Sequence, residues 1–308
     1  MTTLYISHPA FLAHQGPPGH PERPDRLRAV ARMLEAGNGL GLVRHEAPLA
    51  ELEQIARVHP LAYIEHVRKA EPQSGFAALD PDTYVAPGSF EAARRACGAA
   101  ILAVDKVLGG EAYNAFCAVR PPGHHAERAR AMGFCLFNQI AVGARHAREA
   151  HGLERIAIVD FDVHHGNGTQ DAFREDRTVL YGSTHQMPLY PGTGSPSETG
   201  VGNIFNAPLR PGDGSAAFQA AMSGLILPAV DRFAPDLIMV SAGFDGHARD
   251  PLAQLRLVEH DFVWITERLM ALADSHCSGR IVSMLEGGYD LVALTASLAA
   301  HLAVLRGG

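Results

Sequence analysis

One pattern constrains this chain more than any other. Short, almost wholly apolar runs rich in β-branched residues recur, each followed by loop residues and then an amphipathic segment. The clearest runs are Leu4–Ile6, Ala115–Val119, Arg155–Val159, Thr178–Tyr181, Leu237–Ser241 and Arg280–Leu285. A strand that lacks apolar–polar alternation is buried on both faces, which suits a parallel sheet covered by helices. Helical periodicity fills the intervals over Glu91–Leu108, Asn138–His151, Ala216–Phe233, Glu259–Ala273 and Leu291–Leu305. This alternation predicts one doubly wound α/β domain over residues 1–308, without internal repeats, and a long loop at Pro191–Gly202.

In such sheets ligands bind beyond the carboxyl ends of the strands. The residues after the apolar runs are RPPGHHAE, DFDVHHGNG, SAGFDGHARDP and EGGYD. Four strand ends therefore bring His, Asp and Tyr into one neighbourhood.

If the strand continues through Asp160-Phe161-Asp162-Val163-His164, then Asp160, Asp162 and His164 point the same way. Buried carboxylates are costly unless paired or bound to metal. Asp162 and His164 make a two-residue chelate, and Asp245 at another strand end completes it. Three protein ligands and an open position are the pattern of a catalytic zinc. The same Asp/His/Asp set also tolerates iron(II). A lone Asp-x-His would read more simply as a polar loop, but here it has company.

His124 and His125 follow Pro-Pro-Gly in an irregular loop. Hydrolysis of an amide by metal-activated water needs a base for the water and an acid for the leaving amine. Histidine suits both tasks, and each ring needs a partner on its other nitrogen. Asp160 is the candidate partner for one ring and Asn167 for the other. Tyr289 follows two glycines and can donate a hydrogen bond to a developing oxyanion.

Composition narrows the remaining classes. The net charge is −7, so no general electrostatic attraction to nucleic acid or an anionic membrane is expected. The N-terminus lacks a secretory pattern, and no run approaches the ~18 apolar residues of a membrane span. The four cysteines, Cys97, Cys117, Cys135 and Cys277, form no CxxC pair and read as buried thiols in a reducing cytoplasm.

RPPGHHAE, GFCLFN, VDFDVHHGNGTQ, YPGTG, SAGFDGHARDPL and LEGGYD stand in the order found in the histone deacetylase family. The resemblance runs from GHPERPDRLRAV at Gly19–Val30 to the last helix. HHGNGTQ and LEGGY are most similar to the class II branch and the bacterial histone deacetylase-like amidohydrolases. The resemblance implies an arginase/deacetylase fold with an eight-stranded parallel sheet and helices on both faces. It implies zinc on Asp162, His164 and Asp245, His125 as general base and acid, and His124 with Asp160 as electrostatic partner. It makes Tyr289 the group that polarises the acyl carbonyl. Phe134 and Tyr190 would wall a tunnel for an acyl-lysine stem, Tyr190 standing where relatives usually carry phenylalanine. Gly133, Gly288, Leu252 and Asp82 would also meet substrate, Asp82 by holding the substrate's backbone, and Arg26 would line an inner acetate exit. Potassium is implied beneath the zinc at Asp160, Asp162, His164, Ser183 and Thr184. A second, peripheral potassium is implied at Phe173, Asp176 and Val179.

The expected activity is zinc-dependent removal of acetyl or other acyl groups from amines, with acetyl-lysine side chains in peptides or proteins ahead of other amines. The alternative is an acetylpolyamine amidohydrolase. An arginase-like two-manganese enzyme lacks its second set of ligands here, and a non-catalytic module would not have kept every catalytic group. The expected partners are an acylated peptide or a small amine, with homo-oligomerisation left open.

Overall fold

The computed structural model describes residues 2–37 and 41–307. In chain order the elements begin with β1 (Thr3–Ser7), α1 (Asp25–Ala36), β2 (Val43–Glu46), α2 (Leu52–Ile55) and α3 (Leu61–Ala70). They continue with β3 (Ala77–Asp80), β4 (Thr83–Val85), α4 (Ser89–Leu108), β5 (Asn114–Cys117), α5 (Gln139–His151), β6 (Ile156–Asp160) and α6 (Asn167–Phe173). The last are β7 (Val179–Gln186), β8 (Ile204–Leu209), α7 (Ser215–Ala221), α8 (Leu227–Phe233), β9 (Leu237–Ala242), α9 (Glu259–Cys277), β10 (Ile281–Leu285) and α10 (Leu291–Leu305).

Eight strands form one sheet in the order β2-β1-β5-β10-β9-β6-β7-β8, and every pairing is parallel. Every residue of β5, β6, β7, β9 and β10 is buried, as the apolar runs require of strands covered on both faces. Helices α4 and α5 pack on each other and on the central strands, while α9 and α10 pair as a second layer that α1 and α8 extend. The fold is the arginase/deacetylase architecture that the motifs implied.

The two edge strands escape the sequence pattern. β2 is Val-Arg-His-Glu, largely exposed, and β8 carries a proline. Charge and proline are how edge strands avoid pairing with other chains, and they erase the apolar signature. The run expected over Ala216–Phe233 is continuous helix, but a π turn at Met222–Ile226 joins α7 to α8. A small antiparallel hairpin, β3–β4, stands apart from the main sheet and reaches the site described next.

Candidate active site

The strand that leads into Asp-Phe-Asp-Val-His stops at Asp160, so strand alternation is not what aligns these side chains. Two consecutive side-chain turns do it instead. Asp160 Oδ1 accepts from the Asp162 N–H at 3.1 Å, and Asp162 Oδ1 accepts from the His164 N–H at 2.9 Å. Asp245, three residues past β9, accepts from the Val163 N–H at 2.9 Å through Oδ1. His164 Nδ1 then lies 3.2 Å from Asp162 Oδ1 and 3.1 Å from Asp245 Oδ2.

One imidazole nitrogen has a single proton and cannot serve two carboxylates. An oxygen of each carboxylate a little over 3 Å from that nitrogen is the spacing of donors that share one ion, and all three ligand atoms lie within 4.8 Å of one another. All three residues are buried. Burial opposes charge on His164, yet Asp162 and Asp245 hold its pKa up at about 10. Burial, with Asp162 close by, raises Asp245 to about 7. Such packed negative charge fits a divalent cation. Glycine makes the packing possible: a β-carbon on Gly243 would strike Asp162, and one on Gly287 would strike both Asp162 and Asp245.

The two histidines are anchored from below. Glu286, fully buried at the end of β10, accepts from the N–H groups of Gly123 (2.7 Å) and His124 (3.2 Å). His124 Nδ1 donates to Asp160 Oδ2 at 2.9 Å, an oxygen that also takes the Tyr181 hydroxyl at 3.0 Å. His125 Nδ1 donates to Asn167 Oδ1 at 2.8 Å, and the Asn167 amide donates to Glu127. Burial disfavours a charged His124, but Asp160, Asp162 and Glu286 outweigh it and bring its pKa to about 10. His125 is held well below the usual histidine range by burial and by the cations His124 and His164. Sequence reading left Glu286, Glu127 and Tyr181 without a role. Glu286 sits in a motif already singled out, and a buried acid at a strand end was the signal.

Above these groups opens a cavity of about 230 Å³ lined by Asp82, His125, Gly133, Phe134, His164, Leu189, Tyr190, Leu252 and Tyr289. Phe134 holds a left-handed backbone (φ 67°), a costly conformation for a residue with a β-carbon. The hairpin fixes it: Asp82 Oδ1 accepts from the Gly133 N–H and Thr83 Oγ1 from the Phe134 N–H, at 3.1 and 3.0 Å. Tyr190 stands edge-on to His125, with ring centres 5.2 Å apart. Tyr289 is wedged between Phe134 and the Arg26 guanidinium, and Asp250 accepts from its N–H at 2.7 Å. Burial, then the Asp245 charge, keeps the phenol protonated.

Arg26 and Gly288 do not line this cavity. Arg26 is fully buried behind Tyr289 and donates to the carbonyls of Gly288 (2.7 Å) and Glu286 (2.5 Å). Ser183 pairs in register with Asp160, and Thr184 follows, so the residues implied for an inner potassium are neighbours on β6 and β7. At the implied peripheral site the carbonyls of Phe173, Asp176 and Val179 do converge, but on the side-chain nitrogen of Asn203. With that amide in place the residues do not fit a cation.

A second His/Asp group lies at Asp105, His146 and His151. Its contacts of 2.6 and 2.7 Å are ordinary charge-assisted hydrogen bonds, and Arg57 donates to the other nitrogen of His146. The larger cavity of about 490 Å³ near Arg57, Arg145 and Asp176 holds paired charges and none of the reactive groups.

The class that fold and site define is a histone deacetylase-type amidohydrolase. The family model described as "Histone deacetylase domain" matches residues 20–305, and this chain belongs to the histone deacetylase family. It is 43% identical over 278 residues to the "Histone deacetylase-like amidohydrolase" of Pseudomonas aeruginosa, covering 88% of this chain and 73% of that protein. It is 40% identical over 298 residues to a "Probable deacetylase" of Archaeoglobus fulgidus, covering 94% and 82%. The human "Polyamine deacetylase HDAC10" is 39% identical over 307 residues, covering 93% of this chain and 44% of that protein. Among solved structures, the HDA15 HD domain superposes with a TM-score of 0.94 at 36% identity, over 99% of this chain and 90% of that one.

Proposed function

We propose that residues 1–308 form a single zinc-dependent deacetylase domain that hydrolyses acyl-lysine side chains of peptides or proteins. One observation carries this reading. His164 Nδ1 stands between Asp162 and Asp245 at the floor of a cavity whose walls are Phe134, Tyr190 and Leu252 and whose reactive groups are His125 and Tyr289.

A divalent ion held by Asp162, His164 and Asp245 supplies Lewis acidity and makes water acidic enough to attack an amide. The chain's own groups do the rest. Phe134 and Leu252 bury the aliphatic stem, and the Tyr289 hydroxyl donates to the acyl oxygen as it gains charge. Because Nδ1 of His125 donates to Asn167, its Nε2 carries the free lone pair. That nitrogen takes the proton from the attacking water and returns it to the leaving amine. His124, kept cationic over Asp160, contributes fixed positive charge. A potassium ion beside Asp160 and Ser183 would steady this floor.

Leu252 favours acetyl-lysine over acetylpolyamine, because an ammonium in the cavity would need a carboxylate where leucine stands. Glu22 does not supply one, being fully buried between Arg26 and Arg120. The polyamine-directed name of the human relative favours the other substrate. Free buried cysteines and the absence, among the described residues, of any helix able to cross a membrane are compatible with a cytoplasmic enzyme.

Acetate release from an acetyl-lysine peptide tests the proposal. It should stop on chelation, return with about one equivalent of zinc or iron(II), and exceed release from N8-acetylspermidine in kcat/KM. Unchanged turnover after chelation, or activity that needs two manganese ions, would overturn the metal assignment. A clear preference for the polyamine would overturn the substrate.

A further inference from the structure

The turn between α6 and β7 aims three backbone carbonyls at one point. Phe173, Asp176 and Val179 lie 2.8, 3.0 and 2.7 Å from Asn203 Nδ2. Converging carbonyls of this kind are how proteins strip and hold a hard cation. Here the point is taken by a neutral amide, which has only two N–H groups for the three oxygens.

Two further features fix the amide there. Asn203 is 5% exposed, its Oδ1 accepts from the Val201 N–H at 3.2 Å, and its own carbonyl accepts from the Tyr181 N–H at 2.9 Å. Gly200, at φ 56°, leaves the room: a β-carbon there would strike both Asn203 Oδ1 and the Arg174 carbonyl. The surrounding charge also disfavours a cation. The Asp176 carboxylate spends Oδ2 on Arg145 (2.5 Å) and Arg148 (3.2 Å) and Oδ1 on Thr178. The Arg145 guanidinium lies 4.8 Å from the centre of the Phe173 ring. Two guanidinium groups on a carboxylate already spent on them make a poor home for potassium.

We propose that Asn203 replaces the peripheral monovalent cation of this fold, so that its side-chain amide ties the α6–β7 turn to the start of β8. The chain then has no ion at those carbonyls, whatever the inner site beside Asp160 holds. This inference stands independently of the catalytic reading.

Crystals of the wild-type protein grown in thallium(I), a heavy stand-in for potassium, decide it. The expected result is no anomalous peak within reach of the Phe173, Asp176 and Val179 carbonyls. A peak there, with the Asn203 side chain turned away, overturns the proposal. Asn203→Ala supplies the converse. Losing the donor should lower Tm by roughly 3–10 °C in choline chloride, since buried carbonyls lose their partner. Potassium should restore part of that loss and thallium should now appear at the three carbonyls. If Asn203→Ala folds and takes up no ion, Asn203 is not what excludes the cation and the idea fails. Should Asn203→Ala not fold, Asn203→Asp keeps the shape but turns an acceptor toward three carbonyls. Its Tm should then depend on potassium more steeply than that of the wild type, and an equal dependence counts against the proposal.

Discussion

His124 and His125 share a loop and differ in one neighbour. A carboxylate, Asp160, receives the proton on one ring, and a neutral amide, Asn167, receives it on the other. The carboxylate favours the charged ring and the amide does not, so only His125 is available to accept a proton at neutral pH. His125→Ala should therefore cost more of kcat than His124→Ala, and steady-state kinetics giving the opposite order would mean that the roles are exchanged. Tyr289→Phe keeps the ring packed between Phe134 and Arg26 but removes the donor. We expect kcat to fall by roughly 10²–10³ with an unchanged circular dichroism spectrum, and near-normal turnover would remove Tyr289 from the chemistry. At this scale the sequence was legible wherever partners sit close in the chain. Asp162, His164 and the histidine pair announce themselves by spacing. Asn203 does not, because its partners are backbone groups contributed by a distant segment, and backbone groups leave no mark on composition.

Among the elements, α1 shows how a helix far from the substrate holds the site. It carries Arg26, whose guanidinium clamps the carbonyls on either side of Gly287 and so fixes the segment that presents Tyr289. Glu22 binds Arg26 and Arg120 together, and all three are buried. Burial by itself would raise the pKa of Glu22, but Arg120, His14 and Arg26 bring it down to about 2. A carboxylate with a depressed folded-state pKa stabilises fully above its unfolded value, and that stability is lost as pH falls through the folded value. Glu22→Gln should thus destabilise by about 3–5 kcal/mol near neutrality, because it strands two buried cations. In chemical denaturation the gap between wild type and variant should narrow between about pH 4.5 and about pH 2. A gap that stays constant through that window would show that Glu22 carries no shifted charge. The central strands and long helices were readable because burial on both faces demands apolar runs. The edge strand β2 was not, because it is exposed and charged, nor was β8, whose asparagine and proline interrupt the apolar run, nor the hairpin that steadies Phe134, whose strands are only four and three residues long.

For the whole molecule the candidate metal-binding residues form a joint between β6 and β9, and Gly287, beyond β10, donates to Asp162 at 2.8 Å. An ion that binds only the folded chain stabilises it by mass action, by about 2.7 kcal/mol at a free concentration 100 times Kd. Chelation should lower Tm and zinc should restore it in a concentration-dependent way. A Tm indifferent to both would mean that the three ligands hold no ion. The sheet order carries one more consequence. β10, the last strand in chain order among the described residues, lies in the middle, between β5 and β9. Without it the order falls into two separate half-sheets, β2-β1-β5 and β9-β6-β7-β8, each with an apolar edge open to any passing strand. β10 is the keystone of the arch. A chain cut before residue 281 keeps two sticky halves and loses the strand that joins them, so such a fragment should be a target for chaperones and proteases.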